Sequence, residues 1–223
     1  MSKYISCNVR AWANKEDPSF EKLILNLPWA SERARKALQY ARHIINGRWP
    51  QGEKHIKVIP YFAYQYAKYV VGERWAEAEN AIATEPSAAY LYSKYVIKGR
   101  FDLAERTAKW HKSPRDFYLY CKYILKSRWE DVEKKLEKEA ASRDYIDCYS
   151  ITSYIRFVSK SRWTKMEKYI IKSAFIPEYA KVLKNNPKDY EEFYNKILIE
   201  SLAADKRFHH NYAREYIKSL KTT

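Results

Sequence analysis

Hydrophobic and polar positions between residues 36 and 173 repeat as a block. Aligned on an aromatic residue that follows arginine, the chain reads GRWPQGE at 47–53, ERWAEAE at 73–79, GRFDLAE at 99–105, SRWEDVE at 127–133 and SRWTKME at 161–167. The anchors are Trp49, Trp75, Phe101, Trp129 and Trp163, at intervals of 26, 26, 28 and 34 residues. Nine residues before each anchor stands a tyrosine: Tyr40, Tyr66, Tyr92, Tyr120 and Tyr154. Five before stands a β-branched aliphatic (Ile44, Val70, Val96, Ile124, Val158), and four after stands a glutamate (Glu53, Glu79, Glu105, Glu133, Glu167). A motif recurring at a near-constant interval is architecture, because each copy buries its neighbour's apolar face.

The columns predict a short helical hairpin. Tyrosine followed by aliphatics four and five residues later lies on one face of a helix, as Tyr66, Val70 and Val71 do in AYQYAKYVV. A Gly or Ser near each arginine (Gly47, Gly72, Gly99, Ser127, Ser161) is expected to end that helix, with glycine suited to a left-handed cap. A second helix then runs from the anchor through residues such as Ala78 and Ile82, or Leu103 and Ala108. Pro60, Pro86 and Pro114 close it and open the next unit, since proline cannot continue a helix. Helices this short depend on their neighbours for stability.

The expected fold is therefore all-α, an α-solenoid of hairpins of about 26 residues, TPR/HEAT-like in general architecture. No Pro/Ser/Gly linker divides residues 1–223, which reads as one domain. Residues 1–35 are expected to cap the array, with a helix at 18–27 and a Pro28-Trp29 turn. Residues 36–173 hold the five repeats, and 174–223 hold two or three longer helices. A degenerate sixth copy is expected at KRFHHNYAREY, 206–216, with Phe208 as its anchor and Tyr212 in place of the glutamate. The 34-residue interval before Trp163 leaves room for a break in the stack.

Charge adds a possible partner. Lys and Arg outnumber Asp and Glu by 42 to 27, a formal +15, which favours polyanions through phosphate neutralisation, although a lysine-rich surface also serves solubility. Two basic columns run through the copies. Seven residues before the anchors stand Arg42, Lys68, Lys94, Lys122 and Arg156; one before stand Arg48, Arg74, Arg100, Arg128 and Arg162. Lys98, Lys126 and Lys160 lie close by in the later copies. Stacked hairpins would align Arg42, Lys68, Lys94, Lys98, Lys122, Lys126, Arg156 and Lys160 as a ridge able to follow DNA or RNA, with aromatics as stacking platforms. The competing reading makes the arginines partners of the helix dipole or of the glutamates five residues later. In either case the tyrosines and anchors are expected to be core knobs whose polar tips find a partner.

The string V-I-K-G-R-W/F-x-x-A-E, sharpest over residues 61–114, resembles a repeat of uncharacterised tailed-bacteriophage proteins, often present there in tandem. It departs to GERW in the second copy and to SRW in the last two. The resemblance implies a helical-repeat fold and an infected bacterial cytoplasm, and it implies no particular activity.

Catalytic patterns are weak. Of His43, His55, His111, His209 and His210 only the last two are adjacent, and neighbours on a helix diverge rather than share a metal. No Gly-rich phosphate loop, HExxH motif or nucleophile elbow occurs. Cys121 occupies a column of small residues with Ala41, Ala67 and Ser93, and Cys7, Cys121 and Cys148 form neither a disulfide framework nor a zinc spacing. Asp144, Asp147 and Cys148 cluster without a base, and Asp144 is expected to cap the following helix. No cofactor or metal is expected. The N-terminus has no signal-peptide core and no stretch approaches a membrane span, so a cytoplasmic protein is expected. Three functions remain open: a nucleic-acid-binding array, a protein-binding solenoid engaging a host (antiviral defence) or phage protein, and a helical-repeat enzyme of the DNA glycosylase kind.

Overall fold

Proline and small residues decide where the helices start and how closely they approach. The computed structural model describes residues 18–143, 146–203 and 212–221, and among these all regular structure is helical. The chain divides into two compact units, Met1–Lys109 and Trp110–Thr223.

The first unit holds α1 (Pro18–Leu25), α2 (Ala30–Tyr40), α3 (Pro50–Ile56), α4 (Pro60–Tyr66), α5 (Ala76–Ile82), α6 (Pro86–Tyr92) and α7 (Asp102–Thr107). Pro60 and Pro86 occupy the first position of their helices, where the missing N–H is no loss. The anchors Trp49, Trp75 and Phe101 sit just before α3, α5 and α7 with non-helical backbone. Ala34, Ala37, Ala63, Ala67, Ala88 and Ala89 are fully buried, and these small side chains let α4 pack against both α2 and α6.

Helices α2, α4 and α6 do not simply stop at their tyrosines. Each widens into a five-residue π-helical turn: Ala41–Ile45, Ala67–Val71 and Ser93–Ile97. In the second unit Cys121–Leu125 and Ile155–Ser159 do the same. The first residue of every such turn is fully buried, and it is small in four of the five, with Ile155 the exception. The left-handed residue that ends each turn is Asn46, Gly72, Lys98, Lys126 or Lys160, at φ 53°, 81°, 58°, 56° and 51°.

This corrects the expectation that Gly47, Gly99, Ser127 and Ser161 break the helices. The reversal falls three residues before each anchor, and glycine fills that place only at Gly72. The lysines are held there by the turn itself, as in the Lys160 N–H donation to the Ile155 carbonyl at 2.8 Å. A side chain in this region costs about 1–2 kcal/mol, partly offset by glycine's greater unfolded-state entropy. Lys98→Gly, Lys126→Gly and Lys160→Gly are each expected to stabilise by roughly 0.5–1 kcal/mol. Urea-unfolding midpoints check this, and a loss of stability would contradict the assigned backbone.

The second unit holds α8 (Pro114–Tyr120), α9 (Glu130–Ala141), α10 (Cys148–Tyr154), α11 (Glu167–Ile170), α12 (Ile176–Leu183), α13 (Pro187–Ala203) and α14 (Tyr212–Lys221). The irregular intervals have local causes. Ala108 was expected within a helix, but α7 ends at Thr107 and Ala108 is extended. Trp110–Lys112 then forms a 3-10 turn, and Trp110 is buried 4.5 Å from Tyr120 and 5.9 Å from Trp129, ring to ring. The 34-residue interval reflects a 12-residue α9 where α3 and α5 have seven. The cap of α10 is Asp147, whose carboxylate accepts from the Ser150 N–H at 3.1 Å. Asp144, expected in that role, lies outside the described residues, as do Cys7, Phe208, His209 and His210. Helix α8 packs on α10, and α12 packs on the Ile155–Ser159 turn and on α13.

Candidate nucleic-acid interface

The two basic columns have opposite fates. All five arginines that precede the anchors are paired. Arg48, Arg74, Arg100, Arg128 and Arg162 each reach the glutamate five residues on with Nε and Nη2, at 2.5–3.2 Å. Such a fork-to-carboxylate pair fixes the orientation of both groups.

The glutamate then receives a tyrosine from the next hairpin. Tyr66 Oη donates to Glu53 at 2.8 Å and accepts the Trp49 N–H at 2.8 Å. Tyr92 does the same with Glu79 at 2.9 Å and Trp75 at 2.8 Å. In the second unit Tyr154 donates to Glu133 and accepts from Trp129 at 3.3 Å, and Tyr179 joins Glu167 to Trp163 at 3.1 and 3.0 Å. Because these four anchors are aromatic and have no capping oxygen, the tyrosine hydroxyl satisfies the N–H that the turn into the helix leaves open.

Tyr179 and Glu21 were missed in the sequence. Tyr179 is a sixth member of the tyrosine column, and Tyr40 donates to Glu21 of α1 at 3.1 Å. The signal was a Tyr-small-basic tripeptide, since Tyr179-Ala180-Lys181 matches Tyr66-Ala67-Lys68.

Electrostatics follow the geometry. The Arg48 and Arg74 hydrogen bonds hold the Glu53 and Glu79 carboxyls below the usual carboxylate range, against the opposing effect of burial. Burial alone would raise Glu167, but the bonds from Arg162 and Lys196 outweigh it and its pKa is also lowered. Burial pushes the Tyr66 and Tyr92 hydroxyls well above the ordinary phenol value. A depressed carboxylate contributes stability above its unfolded pKa of about 4.3, and loses it as pH falls through the folded value. A raised phenol contributes below about pH 10 and loses it as pH rises further. Thermal melting followed by circular dichroism is therefore expected to give a flat Tm plateau between these limits, falling below about pH 4 and above about pH 10. A Tm that still rises on acidification through pH 4 would contradict the assigned pairs. Carboxylates held charged in this way are built to accept hydrogen bonds rather than to deliver a proton.

The other basic column faces rings. It occupies the second place of each π turn, and the third place holds His43, Tyr69, Tyr95, Tyr123 or Phe157. In the first unit the Arg42 guanidinium carbon lies 4.0 Å from the Tyr69 ring centroid, and Lys68 Nζ lies 3.9 Å from that of Tyr95. Arg42 and Lys68 thus each cover the ring of the following copy. Lys68 and Lys94 also approach the rings next to them in sequence, at 4.8 and 5.3 Å. In the second unit Lys122 lies 4.1 Å from the Phe157 centroid and 5.2 Å from that of Tyr123, and Arg156 lies 5.0 Å from that of Phe157. Hydroxyls one helical turn earlier accept from Lys94 (Tyr90, 3.1 Å) and Lys122 (Tyr118, 2.9 Å). The four rings Tyr69, Tyr95, Tyr123 and Phe157 stay 43–46% exposed.

Compared with family models, curated proteins and solved structures, the chain matches none. Its own geometry therefore carries the functional reading. The remaining sequence candidates fall into place individually. Lys98, Lys126 and Lys160 are exposed at the left-handed positions. The anchors Trp49, Trp75, Phe101 and Trp163 are buried and Trp129 is half-buried, while Tyr40, Tyr66, Tyr92, Tyr120 and Tyr154 are fully buried. Cys121 is buried, and burial pushes the Cys148 thiol up to about 11, away from reactivity. Among the described residues no group of three His, Cys, Asp or Glu side chains is placed to hold a metal ion, and no helix is long and apolar enough to cross a membrane.

Proposed function

We propose that this is a non-enzymatic helical-repeat protein that binds nucleic acid along its basic ridge. In this reading the hairpins of each unit stack as an α-solenoid, TPR/HEAT-like in general architecture. One observation carries it: the cations of the π turns meet rings and hydroxyls, while the arginines before the anchors meet carboxylates. The arginine column is neutralised and adds little field. The π-turn cations stand beside rings, on a chain with a formal +15, and cations placed in this way favour phosphates through counterion release.

Fluorescence anisotropy against labelled DNA and RNA at two salt concentrations tests this. Binding is expected to weaken steeply with salt. Replacing Lys68, Lys94 and Lys122 together by Gln is expected to reduce the slope of log K against log salt by about 2, at roughly 0.7 per lost phosphate contact. Absence of binding at low salt, or an unchanged slope, would defeat the proposal.

A second reading, a protein-binding surface, is favoured by Leu198, Ile199 and Leu202 on α13, three exposed apolar side chains that one helix face brings together.

A further inference from the structure

The third position of each π turn asks for an explanation that phosphate binding does not give. Three residues before Tyr69 and Tyr95, the chain buries Tyr66 and Tyr92 completely, so burial of aromatic rings is available to this fold. Yet Tyr69, Tyr95, Tyr123 and Phe157 are kept nearly half exposed beside the cations. Phe157 shows that the feature shared by these positions is the ring rather than the hydroxyl. A duplex offers only its phosphates to such a surface, because its bases are stacked inside, and would leave the rings unused. An unpaired strand offers anionic and flat aromatic groups in alternation, which matches the alternation of Arg42, Tyr69, Lys68, Tyr95 and Lys94 in the first unit.

Resting on the nucleic-acid reading above, we infer that the ligand is a single strand, whose bases stack on the rings of Tyr69 and Tyr95 in the first unit while its phosphates take the neighbouring cations; within the second unit Tyr123 and Phe157 offer a pair of the same kind. The bound state exchanges partners. The cation over each exposed ring makes only a weak contact there, since water screens it. An arriving phosphate draws the ammonium or guanidinium off the ring, and the freed face receives a base. Helices α4 and α6 pack as neighbours at the usual ~8–10 Å, a spacing that a flexible strand can meet with a base at each ring. The cations thus lie over the rings in the free protein and leave them when phosphate arrives.

Two pairs of variants of the full chain test this: Tyr69→Leu with Tyr95→Leu, which removes the rings but keeps apolar bulk, and Tyr69→Phe with Tyr95→Phe. Each is titrated against a labelled thymidylate strand and against a duplex at about 50 and about 200 mM salt, the range over which phosphate contacts are most visible. The unaltered protein is expected to bind the single strand at least tenfold more tightly than the duplex. The Leu pair is expected to lose about tenfold or more on the single strand, with the same salt slope and unchanged duplex binding. The Phe pair is expected to match the unaltered protein. Equal affinity for strand and duplex, or a neutral Leu pair, would overturn the single-strand inference while leaving the ridge in place. Failure to bind either ligand at low salt would overturn both. Circular dichroism confirms that the variants fold, and if the Leu pair does not, the strand-to-duplex ratio of the unaltered protein decides.

Discussion

Glu167→Ala is expected to lower stability by about 3 kcal/mol, well above the cost of the same change at Glu53 or Glu79. Glu167 is almost completely buried, and four donors converge on it: Arg162 Nε at 2.6 Å and Nη2 at 3.2 Å, Lys196 Nζ at 2.5 Å and Tyr179 Oη at 3.1 Å. Arg162, itself largely buried, also reaches Asp189 at 3.2 Å and Glu192 at 2.5 Å on α13, so this glutamate ties α11 to both α12 and α13. Removing it leaves buried donors without their acceptor, and that desolvation penalty is what the experiment reads. At Glu53 and Glu79 the partner arginines are at least half exposed, so water replaces the lost carboxylate and the cost is expected near 1 kcal/mol. Chemical denaturation followed by far-UV circular dichroism compares the three. Equal small losses at all three sites would show that burial does not set the scale.

Gly52→Ala is expected to destabilise by about 2 kcal/mol, although helix propensity alone predicts a gain of about 1 kcal/mol for this change inside α3. The reason is Trp49. A Cβ on residue 52 would lie 2.2 Å from Trp49 Cε3 and 2.7 Å from Cζ3, inside the ring's van der Waals surface. The ring cannot yield freely, because it is buried and stands edge-on to Tyr40 at 5.0 Å and 64°. In the next copy Ala78 holds the equivalent place, and Trp75 lies at a flatter 41° to Tyr66. In the third copy the anchor is Phe101, beside Ala104. The double change Trp49→Phe with Gly52→Ala, which copies that third arrangement, is expected to recover most of the loss. A stabilised Gly52→Ala single variant would mean that the ring moves aside without cost.

The basic columns of this protein are divided by geometry rather than by residue type. Five arginines lock glutamates, and at Glu53, Glu79, Glu133 and Glu167 a tyrosine from the next hairpin finds that fixed acceptor, which makes the Arg-Glu-Tyr set part of the packing. The five cations of the π turns instead stand among rings, which cannot neutralise them. Counting basic residues along the chain would weigh the two columns equally.

What the sequence determined by itself is the brick. Periodic Tyr, aliphatic, aromatic and Glu columns specify paired helices, because residues at helical spacing share a face, and proline at Pro60, Pro86 and Pro114 sets the starts because of its own backbone geometry. The Arg-Glu pair was legible for the same reason: five residues across one turn is a local distance. Contacts between hairpins were decided only in three dimensions. Nothing local says that Tyr66 reaches back to Glu53 and Trp49, or that Arg42 covers Tyr69 and not a carboxylate. The π turns were equally hidden, since their extra width registers in sequence only as a buried residue, small in four of the five turns, followed by a cation and, in four of the five, by Tyr or Phe. That width carries the left-handed position to Lys98, Lys126 and Lys160, where the alignment had pointed to the following Gly or Ser. Local spacing fixes which face of a helix is apolar; only packing of one hairpin on the next decides which polar tip meets which.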